Sequence, residues 1–142
     1  MRWRTMCAAA LAALLGLASL PACAAWQTVG AVTQATRTGD EASFATASGA
    51  QVMVGFVTPD VVRVRMAPGG KFGRDFSYAL EAAAPARAEL RFDDGAERSE
   101  LRADADNGAR VVVQKRPVLS ITVFDAQGRV VAGDDPARPM AF

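Results

Sequence analysis

The chain has 142 residues, of which 16 are basic, 15 acidic and none histidine, a formal charge of +1. Without an imidazole it cannot build a Ser-His-Asp triad, a Cys-His pair or a His-ligated zinc site. So near-neutral a balance also gives no electrostatic pull on nucleic acid or on an anionic membrane.

The first 24 residues read as a secretory signal, helical and apolar. Arg2 and Arg4 open it, Met6 to Leu20 is a run rich in Ala and Leu, and Ala22-Cys23-Ala24 fits the small-x-small cleavage rule. Pro21 ends the run short of the roughly 18 residues of a membrane span. Cleavage is expected after Ala24 or Ala25, giving an exported product in the periplasm or medium with no membrane attachment. Leu20-Pro21-Ala22-Cys23 also looks like an imperfect lipoprotein box, which would place a lipid on Cys23. Losing Arg2 and Arg4 leaves 14 basic against 15 acidic residues, a formal charge of −1. Both cysteines, Cys7 and Cys23, lie in the signal, so a chain starting at Ala25 has neither a disulfide nor a thiol nucleophile. About 118 residues suffice for one domain with its own core and not for two.

Past Trp26 the hydrophobic period is two. Strands are expected at Thr28 to Thr36, Ser43 to Ala47, Gln51 to Val57, Val61 to Met66, Phe76 to Glu81, Ala88 to Phe92, Arg98 to Arg102, Arg110 to Lys115, Val118 to Phe124 and Arg129 to Val131. Short strands without a convincing helix make the chain all-β over residues 25–132. Glu81 to Leu90 is rich in alanine, but Pro85 would remove a hydrogen bond from the middle of a helix, so it reads as a loop. Ser48-Gly49, Asp93-Asp94-Gly95, Asn107-Gly108 and Gln127-Gly128 are expected to turn hairpins, with glycine supplying positive φ. Pro117 belongs at a strand start or a bulge. Residues 133–142, with two prolines and no alternation, read as a linker or an unfinished strand.

Few residues invite chemistry. Asp104-Ala105-Asp106-Asn107-Gly108 resembles a calcium loop but reaches its glycine one residue early, with Lys115 where a bidentate glutamate is required, and so reads as a polar hairpin tip. Gly69-Gly70-Lys71-Phe72-Gly73 lacks the Ser or Thr and the following helix of a phosphate loop. The adjacent pairs Asp93/Asp94 and Asp134/Asp135 read as turn formers rather than catalytic carboxylates. Trp26, Phe72, Phe76 and Tyr78 could supply a sugar-stacking platform, although Phe76 and Tyr78 share a face at strand spacing and such pairs are more often core. In Val61 to Met66, Val62, Val64 and Met66 share one face, and Arg63 and Arg65 share the other. The two arginines are either the wet side of a sheet, paired with carboxylates across strands, or a site for an anion or a neighbouring domain.

Four stretches resemble the N-terminal β-sandwich of glycoside hydrolase family 31, the α-glucosidase and α-xylosidase family. They are Gln51-Val52-Met53-Val54-Gly55-Phe56-Val57; Asp60 to Met66 with Pro68 after it; Phe72 through Phe76-Ser77-Tyr78; and Lys115 to Val131 with its Asp125-x-x-Gly128 hairpin. The resemblance implies an incomplete antiparallel sandwich of the galactose mutarotase-like kind, packed beside an absent catalytic barrel. In that family the barrel supplies an aspartate nucleophile and an aspartate acid for retaining hydrolysis of α-linked glycosides without a metal. The family motif Trp-x-Asp-Met-Asn-Glu is nowhere in this chain, so no catalytic, metal or cofactor residue is carried over. The expectation is an accessory fragment of an exported α-glucosidase-like enzyme, inactive alone, with Arg63 and Arg65 at the domain interface. The other reading is a stand-alone exported sandwich that binds α-glucans or other oligosaccharides. In the resemblance the segment Ala103 to Ala109 departs from the family's short apolar connection, which leaves strand pairing there open.

Overall fold

The computed structural model describes residues 26–74 and 89–142. Within them lie nine strands: β1 Val32–Thr38, β2 Glu41–Thr46, β3 Gln51–Thr58, β4 Val61–Ala67, β5 Leu90–Asp94, β6 Arg98–Ala103, β7 Arg110–Gln114, β8 Ser120–Phe124 and β9 Val130–Gly133. They form two antiparallel sheets ordered β1-β2-β3-β4 and β5-β6-β7-β8-β9, so within each sheet every strand pairs with its neighbours in sequence.

The alternation decides which side chains meet between the sheets. Ala42 and Phe44 of β2 and Val52, Val54 and Phe56 of β3 point inward from the first sheet. Leu90, Leu101, Val111, Val113 and Ile121 point inward from the second, and all ten belong to one core. Phe44 meets Phe92 edge to face across the gap, with ring centroids 6.3 Å apart. Three backbone hydrogen bonds tie one sheet to the other: Val32 N–H to Lys115 O, Leu119 N–H to Gly30 O, and Ala109 N–H to Pro59 O. The last of these fixes the segment Ala103 to Ala109. It closes the β6–β7 hairpin through Ala103 N–H to Ala109 O and leans on the Thr58-Pro59-Asp60 turn.

Some expectations shift. The strand expected from Thr28 to Thr36 is broken by Gly30 at φ +75°, leaving Thr28 in an isolated bridge and starting β1 at Val32. Gly49 and Gly128 take positive φ as anticipated, but Gly95 and Gly108 do not. Those two are needed for room: a Cβ would stand 2.9 Å from Arg98 O at Gly95 and 2.6 Å from Ala103 O at Gly108. Pro117 follows a cis bond in the link before β8. Residues 133–142 fold back onto the sandwich. Asp134 extends the β8 ladder, and Met140 to Phe142 pair with Gln27 to Val29, with Met140 and Phe142 packed against the core. The expected signal helix, Ala24, Ala25 and the strand Phe76 to Glu81 lie outside the described residues.

Candidate docking face

The site builds from the register of β2, β3 and β4. Val62, Val64 and Met66 stand opposite Phe56, Val54 and Val52 and so face the core. Val64 is nonetheless 42% exposed, because β4 is the edge of its sheet. The outward residues form three rows: Glu41–Gly55–Arg63, Ser43–Met53–Arg65 and Ala45–Gln51–Ala67. Apart from the two arginines, Glu41, Gln51 and Met53, this surface is made of Ser, Ala and Gly. Most of its strand residues are only half-exposed.

Gly55 shapes the first row. A Cβ there would lie 2.8 Å from Glu41 Cγ and 3.2 Å from Asp40 O, so the Glu41 side chain leans across the glycine toward the strand that carries Arg63. A glycine inside a strand commonly marks such a close approach. Neither arginine is a loose cation, since Arg63 and Arg65 each have interaction partners. The Arg65 guanidinium lies 5.0 Å from the centroid of the Phe72 ring, and its Nη2 donates to Gly73 O at 3.4 Å. Arg65 therefore fastens the glycine-rich connection after β4 to the outer face of the sheet. That loop turns at Gly70, whose N–H donates to Ala67 O and whose φ is +73°.

The outer face of the second sheet is of another kind. Arg91, Arg102 and Arg110 stand in one row across β5, β6 and β7. Arg91 pairs with Asp104 at 2.6 Å, Glu100 pairs with both Arg102 and Arg110, and the Arg110 guanidinium lies 3.9 Å from the Phe124 ring centroid. Long charged side chains with mutual partners are what a sheet presents to water. The face over β2 to β4 differs in setting Ser43, Ala45, Gly55 and Ala67 among its longer side chains.

The other candidate residues are employed locally. Asp94 accepts from Lys115 and Ser99, Asp134 Oδ2 accepts from Ile121 N–H, Asp135 Oδ1 accepts from Ala137 N–H, and Asp104 holds Arg91. Asp125 closes the β8–β9 hairpin by accepting from the backbone of Gln127 and Arg129 while its other oxygen pairs with the Arg129 side chain. The Arg129 backbone bond, opposed by slight desolvation and aided by the Arg129 side chain, holds the Asp125 carboxyl below its usual value. The proposed aromatic platform is divided. Phe72 is taken up by Arg65, Trp26 lines a separate cleft with Arg138 and Pro139, and Phe76 and Tyr78 lie outside the described residues. Sequence reasoning missed the Glu41–Gly55 approach, for which the glycine inside a β-branched run was the available signal, and the Lys115–Asp94 pair, for which there was none.

No family model and no curated protein matches the chain. Among solved structures it is similar to the GH31 dextranase of Flavobacterium johnsoniae in complex with glucose, with 19% identity and a TM-score of 0.65 over 77% of this chain and 13% of that one. It is also similar to the cycloalternan-forming enzyme from Listeria monocytogenes in complex with a pentasaccharide substrate, with 17% identity and a TM-score of 0.60 over 79% of this chain and 10% of that one. The fold is thus that of a β-sandwich segment found within much longer enzymes, in agreement with the fold that the resemblance implied.

Proposed function

We propose that this chain is the accessory sandwich of an exported α-glucosidase-like glycoside hydrolase, bracing a catalytic barrel and inactive by itself. The observation that carries the reading is the shared fold: most of this chain matches 13% of a GH31 dextranase. The outer face of β2 to β4 is the surface offered to the barrel, with Arg63 and Arg65 at its margin. Export follows the signal expected at residues 1–24, with release after Ala24 or Ala25.

Three experiments test this reading. Sequencing the DNA that follows the Phe142 codon should reveal, in one of the frames, a barrel with an aspartate-containing motif of the Trp-x-Asp-Met-Asn-Glu type; its absence overturns the accessory role. In the joined enzyme, replacing Arg63 and Arg65 with serine should weaken docking or lower the melting temperature while leaving sugar preference unchanged. A change in preference would instead place them at the substrate. Export is tested by sequencing the N-terminus of the periplasmic product and by fatty-acid labelling, with an unlabelled chain starting at Ala25 or Trp26 expected.

A further inference from the structure

Trp26 is held by the pairing of residues distant in sequence. Gln27 and Phe142 exchange two backbone hydrogen bonds of 2.9 Å, and Val29 N–H donates to Met140 O at 3.0 Å. In this two-stranded ribbon Val29, Met140 and Phe142 turn toward the core. By the period of two, Trp26, Thr28 and Ala141 turn away from it. Arg138 arrives on the same cleft from a turn fixed by Asp135, whose carboxylate accepts from Ala137 N–H and whose carbonyl accepts from Arg138 N–H. Trp26, Thr28, Arg138, Pro139 and Ala141 line a cleft of about 530 Å³, a size ordinary for a small-molecule site.

The composition of that cleft selects a ligand class. Among the described residues its bed is apolar, made by the indole, Pro139 and Ala141, and its polar side-chain groups are one hydroxyl and one guanidinium. Trp26 is 82% exposed, far more than the other large apolar side chains of the described residues. Among the described residues Arg138 carries no ion pair, so its donors face the cleft unspent. Among the described residues no carboxylate lines it to receive a cation or a basic peptide. A flat molecule with an apolar C–H face and a rim of hydroxyls satisfies both parts at once: the face lies on the electron-rich indole, and the rim accepts from the guanidinium and exchanges hydrogen bonds with Thr28.

We propose that this cleft is a saccharide subsite in which Trp26 stacks on one pyranose ring of an oligosaccharide while Arg138 and Thr28 hydrogen-bond its hydroxyls. The subsite requires no second domain, so its success or failure is separate from that of the docking reading.

The test uses the full chain with Trp3→Phe, which leaves Trp26 as the single tryptophan of the two in the sequence. Its fluorescence is titrated with maltotetraose, isomaltotetraose and cellotetraose, which separate α-1,4, α-1,6 and β-1,4 sources of the same ring chemistry. Expected is a saturable shift with at least one of them, at a Kd on the order of 1 mM, weakened about tenfold by Arg138→Ala. Calorimetry on the unlabelled wild type against Trp26→Ala, with unchanged thermal melting, supplies the same comparison without relying on fluorescence. No response to any tetrasaccharide at about 20 mM, an equal response to glycerol, or undiminished binding in Arg138→Ala overturns the proposal.

Discussion

Lys115 Nζ lies 2.6 Å from Asp94 Oδ1, and the two partners are unequally buried: the lysine side chain is 10% exposed and the aspartate 41%. The ammonium also donates to Gly95 O at 2.7 Å, and Ser99 Oγ donates to the same carboxylate oxygen. Removing Asp94 strands a buried charge on a single carbonyl. Removing Lys115 leaves a carboxylate that water and Ser99 still serve. Asp94→Ala should therefore destabilise the chain by about 2 to 4 kcal/mol and Lys115→Met by only about 1 kcal/mol, both discounted for the exposure of Asp94. Urea unfolding of the two variants measures the difference, and equal losses would show that burial of the lysine does not control it.

The same pair sets a pH dependence. Partial desolvation opposes ionisation of Asp94, but hydrogen bonds from Lys115 and Ser99 and the charge of Lys115 outweigh it and hold the carboxyl below its usual value. A carboxyl depressed in the folded state stabilises fully above the unfolded value and loses that contribution as pH falls through the folded one. The urea midpoint should hold steady above about pH 5 and fall below about pH 4. Asp94→Asn should make that fall shallower, and an unchanged slope would assign the acid sensitivity to other carboxylates.

Gly55 and Glu41 should behave as a coupled pair. In Gly55→Ala the new methyl would meet Glu41 Cγ at 2.8 Å, with an expected loss of about 1 to 2 kcal/mol. In a Glu41→Ala background the obstacle is gone apart from Asp40 O at 3.2 Å, so the penalty should fall by more than half. A double-mutant cycle on unfolding free energies reads this directly, and additivity would mean that the side chain moves aside without strain.

Arg65 predicts a local effect rather than a global one. A cation over a half-exposed ring at the surface contributes about 0.5 to 1 kcal/mol, so Arg65→Ala should lower stability by no more than that. The loop it fastens contains Lys71, and trypsin cleavage after Lys71 should accelerate several-fold under native conditions. Arg65→Lys keeps the charge but loses the planar stack and should lie between the two. Unaltered proteolysis would show that Phe72 and Gly73 are held by something else.

The inward and outward faces were legible in the sequence because burial on one side enforces a period of two. That is why Val62, Val64 and Met66 of β4 could be placed on one face and Arg63 and Arg65 on the other. The partners of the outward residues were not legible. Arg65 stacks on Phe72, seven positions along a loop whose path no periodicity encodes. Lys115 meets Asp94 across 21 positions because the end of β7 lies beside the β5–β6 turn, with β6 between the two strands. The tail misled for a related reason. Its prolines removed the alternation, while its pairing depends on residues more than 110 positions earlier, beyond the reach of any local signal.

The pairing of Gln27 to Val29 with Met140 to Phe142 has a mechanical consequence. The two segments run antiparallel, and Gln27 meets Phe142 at the outer end of the ribbon. A force applied between residues 26 and 142 therefore loads the hydrogen bonds one after another, as in a zipper, and not all together in shear. Tension arriving through either end of the chain would peel this ribbon at low force before it reached the β1–β4 and β5–β9 sheets. The sandwich is thus built with a soft first element under load.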